Sequence, residues 1–129
     1  MSEPVLLTAD HICSLQANAL LADGDHPPVV KLFNPAGAAT WLATELDADA
    51  DTLFGLADLG FGFPELGSFS LAELQSLKLP FGLTIERDRS FSTDFGLSVW
   101  AEAARSAGSI AAAERVLAAA ASAKAERSG

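Results

Sequence analysis

The chain has 129 residues, half of them hydrophobic, and a formal net charge of −9. That length suits one domain with a core of ordinary size, and that apolar content excludes a disordered chain. The charge argues against direct binding of nucleic acid and favours basic protein partners. It is unevenly placed: residues 1–69 hold ten acids against one base, Lys31, whereas residues 70–129 hold seven of each. Cys13 is the one cysteine, so no intramolecular disulfide forms, which suits a reducing compartment. Met1-Ser2-Glu3-Pro4 lacks the basic region and apolar run of a signal peptide, and no stretch of about 18 apolar residues spans a bilayer. The expectation is a cytoplasmic protein without membrane contact.

Taken in chain order, Thr8 can cap a first helix running to about Leu21, with Ile12, Leu15 and Ala19 at helical spacing. Pro27-Pro28 prevents its return. Val29 to Phe33 reads as a strand, Asn34-Pro35-Ala36-Gly37 as a turn, and Ala39 to Leu46 as a second strand. Strict alternation sends Trp41, Ala43 and Glu45 one way and Leu42, Thr44 and Leu46 the other. Asp47 to Asp51 is a polar break, and Leu53 to Leu59 is a third strand. Gly60 to Pro64 is a loop, and Phe69 sits on a short fourth strand. Ser70 and Glu73 have capping-box spacing for a short helix through Leu77. Lys78 to Gly82 connects to a last strand, Leu83 to Arg87. Two helices close the chain, from about Ser98 to Ala107 and from Ser109 to about Arg127, parted by Gly108. Helix, strands, then helices predict a single α+β domain over residues 1–129, with a small antiparallel sheet of four to five strands.

Few patterns in the chain carry chemistry. Asp47, Asp49, Asp51 and Asp58 match positions 1, 3, 5 and 12 of a calcium loop. Thr52 stands where that loop needs glycine, and Asp58 replaces the longer glutamate, so a solvated polar loop is the better reading. Glu45, Asp58, Glu65 and Glu86 lie near the ends of different segments and form an acid–base or metal cluster only if the sheet makes them converge. His11, Cys13 and His26 are too few and wrongly spaced for zinc. There is no G-x-S-x-G, and Gly60-Phe61-Gly62 is followed by Phe-Pro where a dinucleotide fingerprint needs a helix. No cofactor and no metal are expected. Phe61 and Phe63, set among glycines and a proline, suit exposed anchors for a partner.

The runs Val30-Lys31-Leu32-Phe33-Asn34-Pro35, Ala39 to Asp47, Phe54 to Gly60, Pro64-Glu65-Leu66-Gly67, Ser70 to Leu74 and Ile85 to Asp88 fall in a familiar order. Over residues 28–91 they resemble the domain-of-unknown-function family two-nine-five-eight, short bacterial proteins of plasmids, phages and other mobile elements. The resemblance implies no catalytic residue. It implies an accessory protein of mobile DNA.

The leading expectation is therefore a non-catalytic acidic protein that binds a basic partner, such as a CRISPR or restriction nuclease. Asp47, Asp49, Asp51 and Asp58 would imitate phosphates in its nucleic-acid groove, with Phe61, Phe63 and Glu65 beside them. Two alternatives stand next to it. One is a small metal-dependent enzyme using the carboxylates of Glu45, Asp58, Glu65 and Glu86. The other is a regulatory or structural homodimer packed through its C-terminal helices.

Overall fold

A computed structural model describes residues 6–21 and 23–128. Along the chain lie α1 (Ala9–Ala19), β1 (Val30–Phe33), β2 (Thr40–Leu46), β3 (Thr52–Asp58), β4 (Glu65–Ser70), α2 (Leu71–Ser76), a 3-10 turn at Pro80–Gly82, β5 (Glu86–Arg87), α3 (Leu97–Ala107) and α4 (Ile110–Ser128). The strands form one antiparallel sheet in the order β4-β3-β2-β1-β5. This is the α+β arrangement expected from the sequence, with five strands.

Local chemistry starts and stops the helices. The Thr8 hydroxyl accepts from the His11 N–H, and the His11 ring accepts from the Thr8 N–H, closing a capping box with histidine in the usual glutamate place. Burial and the nearby Arg87 guanidinium push the His11 pKa down, against a smaller upward pull from Asp10. Gly108 ends α3 at φ 92°, a left-handed cap that suits glycine. Ser109 then opens α4 by accepting from the Ala112 N–H.

Helices cover both faces of the sheet. On one face Trp41, Ala43, Leu46 and Leu53 pack with Leu15 of α1, Leu71 and Leu74 of α2, and Ile85. On the other, Leu42 and Leu56 pack with Leu97, Trp100 and Ala104 of α3 and Ile110 and Leu117 of α4. Cover on both sides explains why six of the seven residues of β2 are buried rather than every second one.

A bulge at Thr44 changes the expected facing of β2. The pairing steps from Ala43↔Gly55 to Glu45↔Phe54, so Thr44 is the extra residue. Beyond it the faces exchange, and Leu46 joins Trp41 and Ala43 instead of Leu42. The Thr44 hydroxyl donates to the Phe54 carbonyl, and its own carbonyl accepts from the Asn18 side chain on α1. Opposite the bulge the backbones come close. A Cβ on Gly55 would lie 1.8 Å from the Leu42 carbonyl oxygen, so the site admits only glycine.

Two strand boundaries also differ from expectation. β5 is two residues rather than Leu83 to Arg87, because Glu86 pairs with Phe33, the last residue of β1. Leu83 to Ile85 project past the end of their neighbour, and Ile85 is buried in the α1-side core instead. β4 is longer than the short strand expected at Phe69. Its Gly67 and Ser68 weaken the strand signature, yet it pairs with β3 at six consecutive positions.

Candidate functional site

The amino-terminal acids divide into structural and exposed ones. Three of them cap helices that come later in the chain. Asp25 accepts from the Ser98 N–H at 2.9 Å and the Ser98 hydroxyl at 2.6 Å, opening α3, whose own cap residue, Gly96, has no side chain to offer. The Ser98 hydroxyl and N–H hold the Asp25 carboxyl below the usual carboxylate range. Asp51 accepts from the Ala72 N–H and the Ser70 hydroxyl, while its backbone carbonyl takes the Leu71 N–H, so the β2–β3 turn is tied to the start of α2. Asp58 accepts from the Gly60 N–H with one oxygen and the Ile110 N–H with the other, both at 2.9 Å, fixing the β3–β4 loop and the first residue of α4 together. In each case a carboxylate meets the positive end of a helix.

The predicted acidic surface is therefore rearranged. Asp58 is only 2% exposed, so it is a buried cap and not a surface acid. It lies at the far end of β3 from Asp51, about 20 Å away at strand rise. Asp49 folds back on its own turn, accepting from the Asp51 and Thr52 N–H groups and from the Thr52 hydroxyl, and these bonds, the hydroxyl first, lower its pKa. Asp47 and Asp49 stay exposed at this hairpin end. Phe61, Phe63 and Glu65 are exposed at the opposite one.

The sheet register also separates the four carboxylates considered for an enzyme. Glu86, Phe33, Thr40 and Asp58 form one row across β5, β1, β2 and β3, which puts Glu86 about 14 Å from Asp58. Glu65 on the outer strand β4 pairs with Ala57, the residue before Asp58, and so points to the opposite face from Asp58, and Glu45 is five residues along β2 from Thr40. Among the described residues, no group of three or more His, Cys, Asp or Glu side chains is placed to hold a metal ion. Cys13 is exposed, and the His26 ring lies 2.7 Å from the Leu21 carbonyl oxygen. On the C-terminal helices offered for a dimer, Ile110, Ala113 and Leu117 pack inward, whereas Val99, Val116 and most of α4 after Leu117 are exposed.

What the fold does bring together is the β3–β4 loop and a cleft beside it. Phe61 and Phe63 are 78% and 79% exposed, with Leu59 and Leu66 also exposed nearby. The loop is not slack under them, since Asp58 holds the Gly60 N–H from below. Gly60 and Gly62 form part of the rim of a cleft of about 640 Å³. Lys31 and Phe33 of β1, Thr40 of β2, Arg89 and the α3–α4 junction at Gly108 and Ser109 also line it. Lys31 bridges Glu114 of α4 at 2.7 Å and Asp88 at 3.5 Å, tying the two sides of the cleft. The cleft was not legible in the sequence. The signal that hinted at it is Lys31 itself, the one base among the first 69 residues, placed on a strand.

None of the described helices is long and apolar enough to cross a membrane. No curated protein and no solved structure gives a significant match to the chain. The family model described as protein of unknown function (DUF2958) matches residues 6–111, from the residues just before α1 to the first turn of α4. The match therefore takes in the whole sheet, the β3–β4 loop and the three long-range aspartate caps, and the chain belongs to that family.

Proposed function

We propose that this protein is a non-catalytic accessory factor of a mobile element that binds a basic protein partner through its β3–β4 loop. The observation that supports the reading is the pair Phe61 and Phe63, held out of the molecule on a loop whose backbone is braced by a buried carboxylate. Rigid, exposed aromatics supply large contact area at low entropic cost, and such residues dominate binding energy at interfaces. The net charge of −9 steers a basic partner toward the surface. Glu65, exposed beside the loop, supplies a local carboxylate for it.

A host-defence nuclease is the narrower form of this proposal. There, exposed Asp47 and Asp49 would stand in for phosphates, and the partner's groove would have to reach both ends of the sheet, since the Phe loop lies about 20 Å away. The two forms separate experimentally. Affinity capture from a bacterial lysate is compared for the wild-type protein, the double variant F61A/F63A and the double variant D47N/D49N, at low and high salt. The proposal expects a basic protein retained by wild type and lost with F61A/F63A. Phosphate imitation adds a steep loss of capture with salt and with D47N/D49N. Identical captured sets for wild type and F61A/F63A would refute docking through the loop.

A further inference from the structure

The sheet has two ends, and they are unequal. β5 is two residues long, whereas β4 presents six residues, Glu65 to Ser70, as an outer strand. Natural sheets guard such an edge with lysine, proline, a bulge or a covering element. β4 contains no lysine or proline, and its register with β3 is unbroken. Leu66 is 45% exposed, and Glu65 and Ser68 are exposed as well. Next to the edge, Gly67 pairs with Gly55, whose own side-chain space is taken by the Leu42 carbonyl, so no side chain from the neighbouring strand reaches over Gly67. Nothing lies within 4 Å of where a Cβ on Gly67 would stand. The edge therefore has a notch.

We infer that β4 is the seam of a symmetric dimer, in which the β4 strands of two copies pair antiparallel and join the two five-stranded sheets into one. The inference rests on the open edge and does not depend on the loop reading above. A two-fold axis perpendicular to the sheet keeps each residue on its own face, so only registers centred on a residue are allowed. Centring on Gly67 would set the two copies' Gly67 opposite each other and leave both notches empty. Centring on Ser68 sets Phe69 of the second copy directly opposite Gly67, and the reverse by symmetry. Each phenylalanine then covers the other copy's glycine notch, a known way for an aromatic side chain to stabilise a strand glycine. On the other face, Leu66 comes to lie opposite Ser70 of the second copy.

Charge does not oppose this seam locally. Glu65 is the one charged residue of β4, and the two copies of it lie at opposite ends of the paired strands. The remaining repulsion is between two molecules of −9 each, which is long-range and falls with salt. Dimerisation therefore strengthens with ionic strength, opposite in sign to docking on a basic partner. The two Phe61–Phe63 loops would be presented at opposite ends of the seam.

Sedimentation of the full chain across a range of concentration and salt tests this. Wild type is expected to be a dimer, tighter at high salt than at low. Ser68 faces its own copy at the axis, so Ser68→Lys and Ser68→Glu each place like charges in contact and weaken dimerisation about tenfold. Mixing the Ser68→Lys and Ser68→Glu proteins restores it, because opposite charges now meet, and that rescue excludes misfolding as the cause. A wild-type monomer at several hundred micromolar and high salt overturns the inference. So does a dimer that neither substitution weakens, which would place the seam elsewhere. Neither result touches the loop, which is tested by F61A/F63A.

Discussion

Asp58→Ala tests the idea that the amino-terminal acids serve as long-range helix caps. The side chain is 2% exposed, and its two oxygens satisfy two separate N–H groups, those of Gly60 and Ile110. Alanine leaves both donors in a site with little water, and each unsatisfied donor costs about 1–3 kcal/mol. Some water entry will soften the loss, so the expected destabilisation is about 3 kcal/mol, a large part of the roughly 5–15 kcal/mol available to a domain. With a urea slope of about 2 kcal/mol/M, the unfolding midpoint falls by about 1.5 M. Asp47→Ala makes the same change in net charge at an exposed site and should move stability by less than about 0.5 kcal/mol. Because removing a negative charge from so acidic a molecule relieves repulsion, a loss at Asp58 cannot arise from net charge. Hydrogen exchange adds a local readout: the amides of Gly60 and Ile110 lose protection in Asp58→Ala before the sheet does. A loss below about 1 kcal/mol, or unchanged protection at those two amides, would refute the capping account.

Three other outcomes follow from the same geometry. Asp25→Ala removes the α3 cap and is expected to cost about 1 kcal/mol near neutral pH. Because the folded Asp25 pKa lies below its ordinary value of 3.8, its contribution is present above that pH and lost as pH falls through the folded value. Wild type and Asp25→Ala should therefore converge in urea midpoint as pH is lowered below 3.8, and a constant gap down to strong acid would count against the cap. Gly55→Ala sets a methyl group against the Leu42 carbonyl, so β2 and β3 must part at the bulge; a loss of about 3 kcal/mol or more, or failure to fold, is expected by circular dichroism. F61A/F63A should leave the urea midpoint within about 0.5 kcal/mol of wild type, since neither ring is packed, and a larger drop would mean the loop aromatics serve the fold.

The structure gives the charge asymmetry a purpose that sequence inspection missed. Read along the chain, ten acids against one base looked like a surface. In the fold, Asp25 caps α3, while Asp51 and Asp58 take further N–H groups at the starts of α2 and α4 beside Ser70 and Ser109, reached across 73, 21 and 52 residues. A helix that lacks a capping side chain of its own, as α3 does with Gly96, draws one from elsewhere, and an antiparallel sheet between two helical layers brings strand ends near helix starts. The other exposed acids, Asp10 and Asp23 at the two ends of α1, Asp47 and Asp49 at one end of the sheet and Glu65 at the other, are spread more widely than the linear count suggests.

Much of the scaffold was open to sequence reasoning because it depends on neighbours in the chain. Thr8 and Ser70 cap the helices that follow them, Gly108 and Ser109 part the last two, and apolar runs mark β1 to β3. Periodicity and capping act over a few residues, so the element order and the α+β class could be read directly. Tertiary structure alone decided what required distant partners. The bulge at Thr44 turned Leu46 to the other core, the end of β1 shortened β5, and the register scattered Glu45, Asp58, Glu65 and Glu86. Whether a carboxylate is a surface charge or a buried cap depends on which N–H groups the fold sets beside it, and that is a property of packing rather than of local sequence.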